Sequence, residues 1–517
     1  MTVRTWLRRA RRGLLATGTT AVLTVALLAG TEATSHAASQ APCDLYAAGG
    51  TPCVAAHSTT RALYGAYHGA LYQVRRASDG ATRDIGLLSA GGYADAAAQD
   101  AFCTGTTCVI TAIYDQSGRG NKLTQAPGGG AAPGPDNLAP ATAAPVTVAG
   151  HRAYGVYVAA GTGYRNNHTN GIATGDQPEG MYAVLDGTHF GGGCCFDYGN
   201  AETNNLDTGN GHMEAIYFGD STIWGSGTGK GPWVMADLEN GLFSGPDPGY
   251  NANDPSVSHR FLTAIVKGAP NLWAIKAGNA QSGGLSTYYS GPRPNAAGYN
   301  PMHKEGAIIL GIGGDNSKSS SGTFYEGVMT SGYPTDAAEN AVQANITAAR
   351  YQAPALTSSA LTPGARVSLK ATTPCCDTQY LRHQSDGTVA ISPVSSTSSS
   401  GDKRDATWIV RTGLADSACL SFESAAASGQ YLRHADFQLR TAAPNATALF
   451  NQDATFCLRA GHSGQGFSFQ SVNYPNRFLR HYSYTGYLAG DGVGGHTWDS
   501  DALWSEDTSW LTAQPWA

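Results

Sequence analysis

Tyr380-Leu-Arg-His383, Tyr431-Leu-Arg-His434 and Phe478-Leu-Arg-His481 are three versions of one tetrapeptide, repeating at roughly fifty residues. Each is followed by an acid within a second short pattern: Asp405-Ala-Thr-Trp408, Asp453-Ala-Thr-Phe456 and Asp507-Thr-Ser-Trp510, with Asp501-Ala-Leu-Trp504 a competitor in the third copy. Three copies of short strands across residues 367–517 predict a β-trefoil, its lobes packed about a pseudo-threefold axis. Leu381, Leu432, Leu479, Trp408, Phe456 and Trp510 are then core positions. The histidines and acids fit a core badly, because burying three His/Asp pairs for stability alone is costly. A histidine and a carboxylate in a shallow pocket make a clamp for sugar hydroxyls instead.

Upstream, residues 353–366, with Pro354, Pro363 and several Ser and Thr, read as a linker. Residues 39–352 read as a second all-β domain, a β-sandwich. Cys108–Tyr114, Met181–Leu185 and His212–Phe218 are candidate strands, and Phe261–Val266 with Leu272–Ile275 form a hairpin about Gly268-Ala-Pro-Asn271. Only Tyr93–Phe102 and Thr335–Arg350, the latter capped at Thr335 or Asp336, look helical. A length of 517 residues favours two domains. The 14 % of charged residues and 66 glycines suit a loop-rich β protein.

Residues 1–38 combine a basic stretch from Arg4 to Arg12, an apolar run from Leu14 to Ala29 and a small-residue cleavage pattern at Ser35-His36-Ala37. That is a secretory signal peptide, and with no second long apolar stretch no membrane span is expected. The net charge of −6 includes five arginines in this leader, so the body is more acidic still, which argues against a nucleic-acid partner. Ten cysteines in an exported chain should be oxidised. Cys43–Cys53 and Cys103–Cys108 would close short loops, and Cys419–Cys457 would join distant segments. The adjacent pairs Cys194-Cys195 and Cys375-Cys376 bond either as vicinal disulfides or to other partners. No Cys-x-x-Cys with matching histidines, Gly-x-Ser-x-Gly, His-Glu-x-x-His or phosphate loop is present, so neither metal nor cofactor is predicted.

Within the sandwich, Trp233-Val-Met-Ala-Asp-Leu-Glu-Asn240 carries two acids at period 2. As a strand it would turn Val234, Ala236 and Leu238 into the core and place Trp233, Met235, Asp237 and Glu239 on the opposite face. Paired carboxylates beside an aromatic ring suit glycosidic-bond chemistry. On spacing alone, a solvated strand face that happens to carry two acids fits better.

Three motifs together resemble glycoside hydrolase family 54: Gly191-Gly-Gly-Cys-Cys195, Trp233–Asn240, and Gly313-Gly-Asp-Asn316 followed by Gly322-Thr-Phe-Tyr-Glu-Gly-Val-Met-Thr-Ser-Gly332. The resemblance covers nearly all the chain after the leader. It implies a secreted α-L-arabinofuranosidase with a catalytic β-sandwich and a C-terminal trefoil similar to carbohydrate-binding module family 42. By that resemblance Glu239 is the nucleophile and Asp315 the general acid/base. Asp237, Asn240 and Gly314 contact the sugar, Trp224 flanks it, and a vicinal Cys194–Cys195 disulfide walls the pocket. His434 with Asp453 and His481 with Asp507 match the trefoil's sugar-binding pairs, and His383 with Asp405 is the first-lobe equivalent. Where fungal members carry a second asparagine after the position of Asn240, this chain has Gly241.

The expected reaction is retaining hydrolysis of terminal arabinofuranosyl residues of arabinoxylan or arabinan by double displacement, with the two carboxyl groups about 5–5.5 Å apart. Arabinose-decorated plant polysaccharide is the expected partner, and a monomer the expected state. The alternatives are a related furanosidase or xylosidase, or a lectin-like wall-binding protein without catalysis.

Overall fold

The computed structural model describes residues 40–517 apart from 248, 296, 354–357, 417–418, 475–476 and 491–494. The expected signal peptide lies outside the described residues. Among those described, the N-terminal domain pairs a nine-stranded sheet with a ten-stranded sheet. The all-β, two-domain reading holds.

Alternation along Trp233–Asp237 sorts its side chains as the sequence predicts. Val234 and Ala236, with Leu238 just beyond, join a core containing Tyr182 and Val184 of one sheet and Ile216 and Phe218 of the other. Trp233 and Met235 face outward, into a second cluster with Cys195, Tyr217 and Leu242. The site-bearing run of the ten-stranded sheet is Leu242–Phe243, Trp233–Asp237, Glu214–Gly219, Asp197–Ala201, Ala307–Leu310 and Tyr164–Asn166, each antiparallel to the next. Register places Asp237, Ala215, Gly199, Ile309 and Arg165 in one row across it. Buried charges beneath are paired: Arg293 donates to both oxygens of Glu214 at 2.9 Å, and Lys304 adds a bond at 3.0 Å.

The predicted hairpin forms from Phe261–Ala269 and Leu272–Asn279. The helix Asp336–Ala348 starts at its Thr335 cap, and the other, Ala96–Phe102, starts at Asp95 rather than Tyr93. A third helix, Pro42–Ala48, escapes sequence reading because its 7 residues show no useful periodicity. It is held by proline in its first turn and by Asp44, whose carboxylate accepts from Ala41 N at 2.9 Å. Just before the expected linker, Tyr351–Gln352 pairs with Ala144–Val148, and within it Leu361 packs in the trefoil core.

In the trefoil, Leu381, Leu432, Leu479, Trp408, Phe456 and Trp510 are fully buried in one core. The repeat shows in its hydrogen bonds as well. Trp408 Nε1 donates to Leu381 O at 3.0 Å, and Trp510 Nε1 to Leu479 O at 3.1 Å. Short helices Ser400–Asp405, Ala448–Asp453 and Trp504–Asp507 each end on the repeat's acid. The third-lobe acid is thus Asp507, and Asp501 stays exposed.

All ten cysteines are bonded: Cys43–Cys53, Cys103–Cys108, Cys419–Cys457 and the two vicinal pairs, Cys194–Cys195 and Cys375–Cys376. Cys419–Cys457 spans 38 residues and links lobes of the trefoil. Replacing both cysteines with serine should lower the trefoil's unfolding free energy by about 2–4 kcal/mol, measured by urea denaturation. A loss below about 0.5 kcal/mol would mean that this cross-link does not restrict the unfolded chain.

Candidate active site

The strand carrying Asp237 stops there, and Glu239 and Asn240 take left-handed backbone angles, φ 67° and 55°. Contrary to what their spacing predicts, Asp237 and Glu239 therefore do not share a strand face. The chain turns instead, and Glu239 N donates to Asp237 Oδ1 at 2.9 Å, an aspartate-closed turn that competes with further pairing. The turn aims Glu239 at the loop after Asp207. Its Oε1 accepts from Thr208 N at 2.8 Å and Gly209 N at 2.6 Å, and its Oε2 from His212 N at 2.7 Å. Three backbone donors that cannot rotate away thus fix one carboxylate. Tyr299 hydroxyl donates to the Glu239 carbonyl from behind.

Asp315 comes from the other side, just past Ala307–Leu310 and Gly313-Gly314. Its Oδ1 accepts from Ser317 N at 2.9 Å, and its carbonyl accepts from Ala131 N at 3.0 Å. Gly314 is required by space: a Cβ there would lie 1.8 Å from Glu202 Oε2. Asp237, Glu239, Asn240, Gly314, Asp315, Trp224 and Cys194 line a single cleft of about 280 Å³, and Gly241 lines it too. Cys195 sits behind this wall, fully buried, with Sγ 3.6 Å from Asp237 Oδ2. Trp224 and Cys194 pack against the outward-facing cluster of Trp233 and Met235.

Three buried residues that sequence reading passed over lie in or behind the cleft wall. Glu202, one position past the strand Asp197–Ala201, lines it and is 1 % exposed. Asp197 is buried at the other end of that strand. Arg165 bridges backbone: its Nη1 donates to Gly314 O at 2.6 Å and its Nη2 to Glu202 O. Nothing in Ala201-Glu-Thr-Asn-Asn205 marks Glu202 as special, because its neighbours come from three other segments.

Crowded, buried carboxyls resist ionisation. Burial, followed by the charges of Glu239 and Asp315, pushes Asp237 up to about 7. Burial, followed by a hydrogen bond to Glu239 and the Glu239 and Asp237 charges, pushes Glu202 up to about 9. Asp197 is raised well above the usual range by burial and then by Asp237.

This cleft sits in a chain whose relatives are clear. The family model for α-L-arabinofuranosidase B, catalytic, matches residues 42–352, and that for the α-L-arabinofuranosidase B (ABFB) domain matches residues 369–512. The chain belongs to the α-L-arabinofuranosidase B family, glycoside hydrolase family 54. A Hypocrea jecorina α-L-arabinofuranosidase is 63 % identical over 94 % of this chain and 98 % of its own. A Trichoderma koningii arabinofuranosidase/β-xylosidase is 62 % identical over the same shares. A solved family 54 α-L-arabinofuranosidase soaked with a cyclic sulfate inhibitor matches at 57 % identity and TM-score 0.64, covering 92 % of this chain and all of that one. A family 54 chain of this kind is a glycoside hydrolase, and the non-catalytic alternative gives way.

The α-L-arabinofuranosidase B trefoil presents its polar residues unequally among lobes. In the second, His434 Nε2 lies 3.2 Å from Asp453 Oδ1, and Asn473 joins both. In the third, His481 Nε2 lies 3.5 Å from Asp507 Oδ1, with Thr373 hydroxyl bonded to each at 2.8 Å. The first lobe differs at its histidine: His383 Nδ1 bonds Thr441, while Asp405 accepts from Arg382 as Asp453 does from Arg433 and Asp507 from Arg480. Asn473 and Thr373 each stand two residues past a strand, Phe467–Ser471 and Arg366–Ala371, and the matching position past Leu420–Ser424 is Ala426. That apolar residue was the available sequence signal. Burial lowers the His434 and His481 pKa values, favouring neutral imidazole.

Asp237 yields a pH-dependent stability. Its carboxyl titrates at 3.8 when unperturbed and about 7 in the fold, so the native state holds a proton that the unfolded chain has released. Its contribution is complete below pH 4 and is lost as pH rises through 7. Asp237→Asn removes this dependence. The variant's stability relative to the parent should rise by up to about 4 kcal/mol from pH 4 to pH 8 in urea denaturation. A pH-independent difference would refute an elevated Asp237.

Proposed function

We propose that this chain is a secreted, monomeric, retaining exo-α-L-arabinofuranosidase that removes terminal arabinofuranosyl residues from arabinoxylan or arabinan. The observation that carries the reading is a cleft of about 280 Å³ in which Glu239, held by three backbone N–H groups, shares the walls with Asp315. That volume lies at the small end of ligand pockets, about 300–1,000 Å³. It fits one terminal pentose better than the interior of a polymer. A solved relative carries arabinofuranosyl-α-1,2-xylobiose, a terminal arabinofuranose on a xylose chain.

Glu239 attacks the anomeric carbon while Asp315 passes its proton to the departing oxygen, giving a covalent arabinofuranosyl-enzyme. Water then displaces Glu239, with Asp315 accepting the water's proton. Asp237 and Asn240 hold ring hydroxyls, and Trp224 with the Cys194–Cys195 disulfide forms the apolar wall. Oxidation of all ten cysteines supports export, and among the described residues no helix is long and apolar enough to cross a membrane. The double name of the Trichoderma koningii relative favours one second reading, β-xyloside hydrolysis in the same cleft.

Proton NMR of the first sugar released from an aryl arabinofuranoside should show retained anomeric configuration, and an inverted product would end the double-displacement reading. Glu239→Gln should cost at least about 10³-fold in kcat. The same assay on an aryl xylopyranoside tests the second activity.

In the trefoil, the second and third lobes are proposed to bind arabinofuranosyl side chains through His434 with Asp453 and His481 with Asp507, while the first is the weak lobe. Two weak sites on one decorated polymer raise the local substrate concentration. His434→Ala and His481→Ala should each reduce retention on insoluble arabinoxylan, with aryl-arabinofuranoside turnover unchanged and little effect from His383→Ala. Equal retention losses in all three variants would contradict the inequality of the lobes.

A further inference from the structure

Glu202 is the buried acid for which the double displacement has no use. It lines the cleft with Glu239, Asp237 and Asp315, yet only 1 % of it is exposed. Its Oε2 is buried and receives no hydrogen bond among the described residues. Arg165, a buried cation beside it, directs its guanidinium to the carbonyls of Glu202 and Gly314 and to Asn167 Oδ1, and forms no ion pair with the Glu202 carboxyl. The backbone of Gly314 closes over Oε2 so tightly that a Cβ there would be 1.8 Å away. An ionised Glu202 would therefore leave a buried, unpartnered acceptor beside other carboxylates, an arrangement with a large desolvation cost. A protonated Glu202 has a donor to offer, and Glu239 lies within hydrogen-bonding reach of it.

We propose that Glu202 is a positioning residue that acts as a neutral carboxylic acid, donating its O–H to the Glu239 carboxylate. This rests on Glu239 being the nucleophile. The three backbone donors fix the carboxylate from the loop side, and Glu202 adds a fourth contact from the strand side. The bond turns the attacking oxygen toward the anomeric carbon. In the second step it stabilises the charge returning to Glu239 as the glycosyl-enzyme bond breaks. Groups facing Glu202 are Glu239 and Asp237 from the strand end, Asp315 from the glycine turn, and Arg165 from the neighbouring strand. The acids all disfavour its ionisation, and burial pushes it up to about 9. Loss of its proton both deletes the donor and adds a like charge beside the nucleophile.

Two variants read this out on an aryl arabinofuranoside with an activated nitrophenolate, whose departure needs no proton from Asp315. Glu202→Gln keeps an N–H donor that does not titrate, so kcat should stay within about fivefold of the parent and the fall in kcat/KM near pH 9 should disappear, leaving the titration of Asp237 near 7. Glu202→Ala should lower kcat about 10–100-fold with a smaller change in KM. Both are checked for folding by thermal denaturation, and if the alanine variant does not fold the glutamine pH profile decides. The proposal is overturned if Glu202→Gln keeps the parental fall near pH 9, if both variants lose activity equally, or if Glu202→Ala retains parental kcat. Trapping a glycosyl-enzyme and locating it on Glu239 by mass spectrometry tests the underlying assignment separately. If the sugar is found on another residue, the nucleophile assignment fails and the Glu202 proposal fails with it.

Discussion

Five carboxyl groups, those of Asp197, Glu202, Asp237, Glu239 and Asp315, are gathered on one side of a single sheet, and they cannot all be charged in so dry a place. Cations do not solve the problem. Arg165 serves backbone carbonyls, and Arg293 and Lys304 lie beneath the sheet on Glu214. Protons resolve it instead: Asp197, Glu202 and Asp237 are all raised, with burial as the leading cause. Glu239 is treated differently by the fold, because three backbone N–H groups converge on its two oxygens. Environment divides otherwise similar acids into neutral supports and a hydrogen-bonded carboxylate.

The glycines serve the same crowding. Gly314 has no room for a Cβ beside Glu202, and Gly209, at φ 70°, turns its N–H to Glu239 where a Cβ would meet Asn240 Nδ2 at 2.6 Å. Each lets backbone reach a carboxyl that a side chain would have shielded. The vicinal disulfide contributes from the other direction, as a compact wall against Asp237 in place of a polar residue that would need its own partner.

In the trefoil, symmetry of the core and asymmetry of the surface coexist. The leucine and aromatic positions of all three lobes must meet at one axis, so packing keeps them alike. The polar positions answer only to local contacts. Asn473 and Thr373 bridge histidine and aspartate in two lobes, while the first has Ala426 at the matching place and its histidine bonds Thr441 instead.

Much of this was legible in the chain itself. The threefold Leu-Arg-His repeat specified the trefoil, because a repeated unit of that size can bury its apolar face only against its own copies. Alternation in Trp233–Asp237 specified which side chains enter the sandwich core, since a strand has two faces and no third choice. The family motifs point to Glu239 and Asp315, and the fold brings both to one cleft. The site's electrostatics were not legible. Period-2 spacing put Asp237 and Glu239 side by side, but the strand ended between them. Glu202 and Arg165 carry no local signature, because their roles arise from segments distant in sequence that close on one another only in the folded sheet. Sequence determines which groups are available and the period on which they repeat. Burial and hydrogen bonding, which decide where each proton resides, are properties of the assembled cleft.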